Sequence, residues 1–160
     1  MQPVTIICVG RLKDAFFEEA SAEYLKRLKP YAKMNTVEIK QAPLSEAPSQ
    51  TEIDRALEAE GAEIIRKIPP NSTVIAMCIE GKMMSSEELA RKFESLAVGG
   101  NSSVSLVIGS SFGLSDKVKN AAALRLSMSP MTFPHQLARV MLLEQIYRAM
   151  SILGNGKYHK

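Results

Sequence analysis

The sequence predicts an α/β domain with a mainly parallel sheet sandwiched by helices. Short apolar, β-branched runs at Val4 to Val9, Ser72 to Ile79 and Val104 to Ile108 read as strands covered on both faces. Segments with apolar residues at helical spacing separate them, and glycine or proline closes nearly every segment. Regular alternation of this kind is the signature of crossover connections around a parallel sheet.

Each element has its own justification. Val4 to Val9 ends at Gly10, and Asp14 to Lys29 follows with Phe17, Ala20, Tyr24, Leu25 and Leu28 on one helical face, stopped by Pro30. Val37 and Ile39 mark a second strand, and the Pro43 to Pro48 stretch reads as a surface loop. Ile53, Leu57, Ile64, Ile65 and Ile68 trace a second helix that Pro69-Pro70 ends. After the third strand, Ser85 with Glu88 three residues on is a capping box opening a helix through Leu89, Phe93 and Leu96, ended by Gly99-Gly100. Val104 to Ile108 is a fourth strand, Ser115 caps a short helix through Val118 and Ala121, and Leu124 to Met128 reads as a fifth strand. The last helix starts near His135. Its apolar surface, with Leu137, Val140, Met141, Ile146, Tyr147 and Met150, is broader than one sheet contact requires, which suits a partner subunit.

A chain of 160 residues, 46% hydrophobic and 23% charged, is sized for one domain spanning residues 1–160. No apolar run reaches the length that spans a bilayer, and the start of the sequence reads as a buried strand rather than a secretory leader, so the cytoplasm is the expected compartment. Cys8 and Cys78 fall inside strand runs without metal-ligand spacing, so no metal is expected. A net charge of +3 permits an RNA partner without arguing for one.

Familiar fingerprints are missing. Gly10-Arg11-Leu12-Lys13 stands where a dinucleotide-binding GxGxxG would follow the first strand, and Gly81-Lys82 lacks the rest of a phosphate loop. Ser110 and Ser111 do not form GxSxG. Two irregular loops remain: Gly109 to Leu114 after the fourth strand, and Ser127 to His135 before the last helix. Loops beyond the carboxyl ends of parallel strands are where open α/β sheets bind ligands. His135 at the helix start offers a proton acceptor or a phosphate contact. Arg139 and Arg148 offer guanidinium groups for phosphate or carboxylate, Arg148 also being spaced to pair with Glu144. The tail with Lys157, Tyr158, His159 and Lys160 suits stacking and phosphate contact. Lys26, Arg27, Lys29 and Lys33 are further candidate phosphate contacts, equally readable as solvated helix surface.

These segments together resemble the RlmH family of SPOUT methyltransferases. The likeness is carried by Val9-Gly10-Arg11-Leu12-Lys13, Ile79-Glu80-Gly81-Lys82-Met83, Val107-Ile108-Gly109 with Phe112-Gly113-Leu114, Met131 to Gln136, Glu144 to Ala149 and the closing Tyr158-His159-Lys160. One departure is Ser110, where the family usually has a second glycine. The resemblance implies a deep trefoil knot in the C-terminal third and a homodimer built around it. It implies S-adenosylmethionine held by Met77, Gly109, Met128, Ser129, Pro130, Met131, Thr132 and Phe133, and methyl transfer to N3 of a pseudouridine in 23S ribosomal RNA within the ribosome. On that reading His135 or His159 takes the N3 proton, Arg139 and Arg148 stabilise the anionic base or an adjacent phosphate, and Tyr158 and Lys157 contact the substrate. A ribosome-binding or assembly factor that keeps the fold but transfers little is the alternative, and another small-molecule α/β enzyme ranks below it.

Overall fold

The computed structural model describes residues 1–160. In chain order the elements are β1 (Gln2–Val9), α1 (Ala15–Leu28), β2 (Ala32–Ile39), α2 (Gln50–Lys67), β3 (Thr73–Met83), α3 (Ser86–Val98), β4 (Val104–Ile108), α4 (Asp116–Ala121), β5 (Leu124–Ser127) and α5 (His135–Leu153). All strand pairs are parallel, in the order β2-β1-β4-β3-β5.

Side-chain alternation along the strands divides the core into two layers. Val4, Ile6 and Cys8 of β1, with Leu106 and Ile108 of β4, face α1, α3 and α5, where Leu28, Phe93, Leu142, Leu143 and Ile146 fill the space. Ile7 and Val9, with Val74, Ala76 and Val107, face α2 and α4 through Ile64 and Val118. The large, fully buried side chains among these, such as Phe93, Ile6, Leu142 and Ile146, each contribute roughly 1.5–3 kcal/mol relative to an exposed position. The helix starts form as their sequences direct: the Ser85 hydroxyl accepts from Glu88 N at 3.1 Å while the Glu88 carboxylate accepts from Ser85 N at 2.7 Å, and Ser49 and Ser115 cap α2 and α4.

Two strands run longer than their apolar runs. β2 begins at Ala32 rather than Val37, pairing with β1 from Gln2↔Ala32 to Val9↔Ile39. As an edge strand it exposes Lys33 and Asn35, so its apolar run is broken. β3 continues to Met83 because its pairing with β5 shifts register between Met77 and Lys82. Gly81 makes that shift possible, since a Cβ there would stand 2.7 Å from the backbone of Arg125.

Candidate active site

Where β3, β4 and β5 end, the chain leaves a cleft of about 690 Å³. Three segments line it: Met77 to Glu80 on the irregular part of β3, Gly109 to Leu114 after β4, and Met128 to His135 between β5 and α5. The two irregular loops singled out in the sequence therefore meet. Met77, Gly109, Met128, Ser129, Met131, Thr132 and Phe133 all border this space, and so does His135. Pro130 is not on its wall; it lies exposed at the bend between Ser129 and Met131.

The first loop is a closed turn. Gly113 N donates to Ser110 O at 2.9 Å, and Gly113 has φ +88°, a conformation that L side chains rarely adopt. Gly109 is required for a different reason: a Cβ there would run into the Gly113 carbonyl, with the carbonyl carbon 2.6 Å away. The glycine thus lets the turn close on itself, a steric requirement that the local sequence, which marks it only as a turn residue able to admit a ligand's approach, does not specify. The second loop is shaped by its serines, with the Ser127 hydroxyl donating to Ser129 O at 3.1 Å and Met131 N donating to the Ser129 hydroxyl at 3.0 Å. Met131 is left 72% exposed at the rim.

Glu80 and Lys119 also stand in the cleft wall, paired at 2.6 Å, and the Lys119 hydrogen bond holds the Glu80 carboxyl below the usual carboxylate range. Sequence reading missed Cys78, Lys119 and Leu126 as lining residues. The signal for β3's contribution was Gly81 just beyond the apolar run that ends at Ile79, a glycine that marks a strand irregularity re-aiming its neighbours.

Behind the first turn lies Glu60 of α2, only 4% exposed. One carboxylate oxygen accepts from Ala42 N at 2.9 Å and the other has no hydrogen-bond partner. Burial pushes its pKa up, against smaller opposing pulls from the Ala42 amide and the Ser110 hydroxyl. A carboxyl with a raised folded-state value contributes stability below its unfolded value, and that contribution is lost as pH rises through the folded value. Glu60→Gln is therefore expected to remove this pH dependence and to stabilise the protein above neutrality by on the order of 1 kcal/mol, because the buried charge is gone. Thermal melts of both proteins from pH 4 to 8 check this; parallel curves would refute it.

His135 forms the wall between the cleft and the end of β1. A Cβ on Gly10 would lie 3.5 Å from its Nε2. Lys13 N donates to the Gln136 side chain at 2.7 Å, so the β1–α1 loop is tied to the start of α5. Arg139, one helical turn further along and 9% exposed, lines a different pocket from the two loops and pairs with Glu38 of β2 at 3.0 Å. Nearby Cys8 is an inert thiol, pushed up to about 12 chiefly by burial.

The structure does not bring the tail into this cleft within one chain. Tyr158 donates to Glu144 at 3.0 Å, the Arg148 guanidinium holds the same carboxylate and stacks 4.7 Å from the Tyr158 ring, and His159 meets Glu87 of α3 at 2.7 Å. Burial and the Tyr24 and Glu144 contacts raise the Tyr158 phenol to about 12. Lys157 is exposed. This cluster borders a second groove of about 490 Å³ along α3 and α5, which shares Met77, Leu126 and Met128 with the first cleft.

A family model described as "Predicted SPOUT methyltransferase" matches residues 2–159. The chain belongs to the SPOUT methyltransferase family. Curated relatives named "Ribosomal RNA large subunit methyltransferase H" are similar along the whole length: that of Clostridium acetobutylicum is 47% identical and that of Alkaliphilus oremlandii 46% identical, each over 98% of this chain and 99% of the relative. Among solved structures, a methylase-family protein of Haemophilus influenzae shares the fold at TM-score 0.54 and 15% identity, covering 98% of this chain and 70% of that one. The α/β class expected from the sequence is thus the SPOUT fold. No helix is long and apolar enough to cross a membrane.

Proposed function

We infer that this SPOUT protein transfers a methyl group from S-adenosylmethionine to large-subunit ribosomal RNA, at N3 of a pseudouridine, acting on the assembled ribosome in the cytoplasm as a homodimer with a knotted C-terminal third. The observation that carries this reading is the convergence of the Gly109 turn and the Met128 to Phe133 bend on one cleft, in a chain whose relatives are named for this class of reaction.

The residues present fit the donor. The cleft volume lies within the range of small-molecule sites, and its lining pairs thioether and aromatic side chains with exposed main chain at two turns. Met77, Met128 and Leu126 offer an apolar slot for an adenine, and the Gly109 to Gly113 backbone offers its polar edge. When bound, the sulfonium of the donor supplies an already activated methyl group. What the chain contributes is alignment of the acceptor nitrogen, exclusion of water by the Phe112 and Met131 rims, and removal of the N3 proton. His135 is the imidazole in the cleft assigned to accept that proton, whereas the Glu80 carboxylate there is engaged by Lys119. Arg139 sits one turn away to stabilise negative charge on the acceptor side. His159, Tyr158, Arg148 and Lys157 reach the acceptor only from a second copy, and the half-buried Val140 and Met141 on α5 give that copy an apolar face to pack against.

Two measurements test the reading together. Titration of S-adenosylmethionine into the protein should release heat with one site per chain. Ribosomes from a strain lacking the gene should gain a single methylated pseudouridine, detected by nucleoside mass spectrometry, when incubated with protein and donor. Heat without a mark would displace the substrate assignment, and neither signal would leave the assembly-factor reading.

A further inference from the structure

One turn of α5 on from His135 lies a third open pocket, of about 710 Å³, which adds to Arg139 two cations, Arg11 and Lys13, that have no place in the chemistry above. Arg11 and Lys13 of the β1–α1 loop enter it from one side and Arg139 from the other. Arg139 is already paired with Glu38, whereas Arg11 and Lys13 are exposed and make no ion pair. On the pocket wall, Ser21 of α1 carries a hydroxyl with no hydrogen-bond partner although the residue is 3% exposed. A buried hydroxyl left unsatisfied beside two free cations is a place prepared for an acceptor oxygen. One further carboxylate, Glu18, faces the same space.

We propose that this pocket holds the RNA backbone next to the target nucleotide, with Arg11 and Lys13 on a phosphodiester and Ser21 donating to one of its oxygens. The inference rests on the proposed function and names how that same site holds its acceptor strand. Position decides the kind of anion. His135 lines the donor cleft and Arg139, four residues on along the same face of α5, lines the basic pocket, so the two spaces are one helical turn apart. A nucleotide whose base meets the donor cleft places its flanking phosphate within reach of the pocket. Phe16, in the first turn of α1, is 64% exposed beside this loop, as a stacking platform for a neighbouring base would be.

The test uses the intact protein and ribosomes lacking the mark. Arg11→Ala with Lys13→Ala should raise the KM for ribosomes about tenfold and lower the slope of log affinity against log salt by about 1 to 2, while calorimetric donor affinity stays at the wild-type value. Arg11→Lys with Lys13→Arg should restore both readouts. Glu18→Gln should act in the opposite direction, lowering KM. Phe16→Ala should weaken binding without changing the salt slope, because stacking releases no counterions. Unchanged KM and slope in the double alanine variant would overturn the proposal. If the wild-type protein itself transfers no methyl to ribosomes, the functional reading fails instead, and the two failures are told apart by that control.

Discussion

Alanine at Gly109 is expected to weaken donor binding ten- to a hundredfold while leaving the protein folded. The added Cβ meets the carbonyl of Gly113, a backbone group, so no side-chain rotation can relieve the clash. Overpacking of this kind costs about 1–3 kcal/mol. Relief comes only by opening the turn that Gly113 N and Ser110 O close, and that turn forms one side of the cleft. If the opened turn must close again to hold the donor, the strain is charged against binding, and about 1.4 kcal/mol corresponds to tenfold in Kd. Gly113→Ala is the informative companion. Nothing stands within 4 Å of its would-be Cβ, so only the positive φ is penalised, at roughly 1–2 kcal/mol. Calorimetry should therefore rank the variants with Gly109→Ala the weaker binder. Wild-type affinity in Gly109→Ala would mean that the donor does not use this turn.

The contrast between these two glycines shows where sequence reading stops. Both stand in a loop after a buried apolar strand, and local pattern marks both as turn residues. Only the three-dimensional approach of residue 109 to the carbonyl of residue 113 separates a steric requirement from a dihedral one. Strand and helix content was legible for the same reason that the turn was: Val104 to Ile108 is bounded sharply, and the Ser85 and Glu88 pair specifies a helix start through bonds that form within four residues. Long-range facts were not legible. Pairing of Lys119 with Glu80, burial of Glu60 behind Ser110 and salt bridging of Arg139 to Glu38 join residues 39, 50 and 101 positions apart along the chain, and no periodicity encodes them. The tail illustrates the same limit. Its composition suits substrate contact, yet within one chain Tyr158 and His159 are engaged with Glu144 and Glu87 on the side of α5 away from His135.

The imidazole of His135 should carry the largest single share of turnover. On the proposed function it takes the N3 proton; it stands in the cleft wall at the first position of α5, close to Gly10, where a Cβ would lie 3.5 Å from Nε2, and next to Gln136, whose side chain accepts from Lys13 N of the adjacent loop. A positioned acceptor of this type contributes about 10²- to 10⁴-fold to rate. His135→Gln is the sharper substitution, because the amide keeps polarity and much of the volume but cannot take a proton at neutral pH. Single-turnover methylation of ribosomes should fall by that factor with donor affinity preserved, and His135→Ala should fall at least as far. Gly10→Val tests the positioning independently. A Cβ alone would touch the ring at 3.5 Å, so the two methyls beyond it crowd the imidazole, and the residue is strained at φ +93°; the variant should reduce turnover and lower stability by about 1–2 kcal/mol. Combined with His135→Ala, it should add little further loss of rate, since residues acting through one interaction are non-additive. Full turnover in both histidine variants would remove His135 from the chemistry.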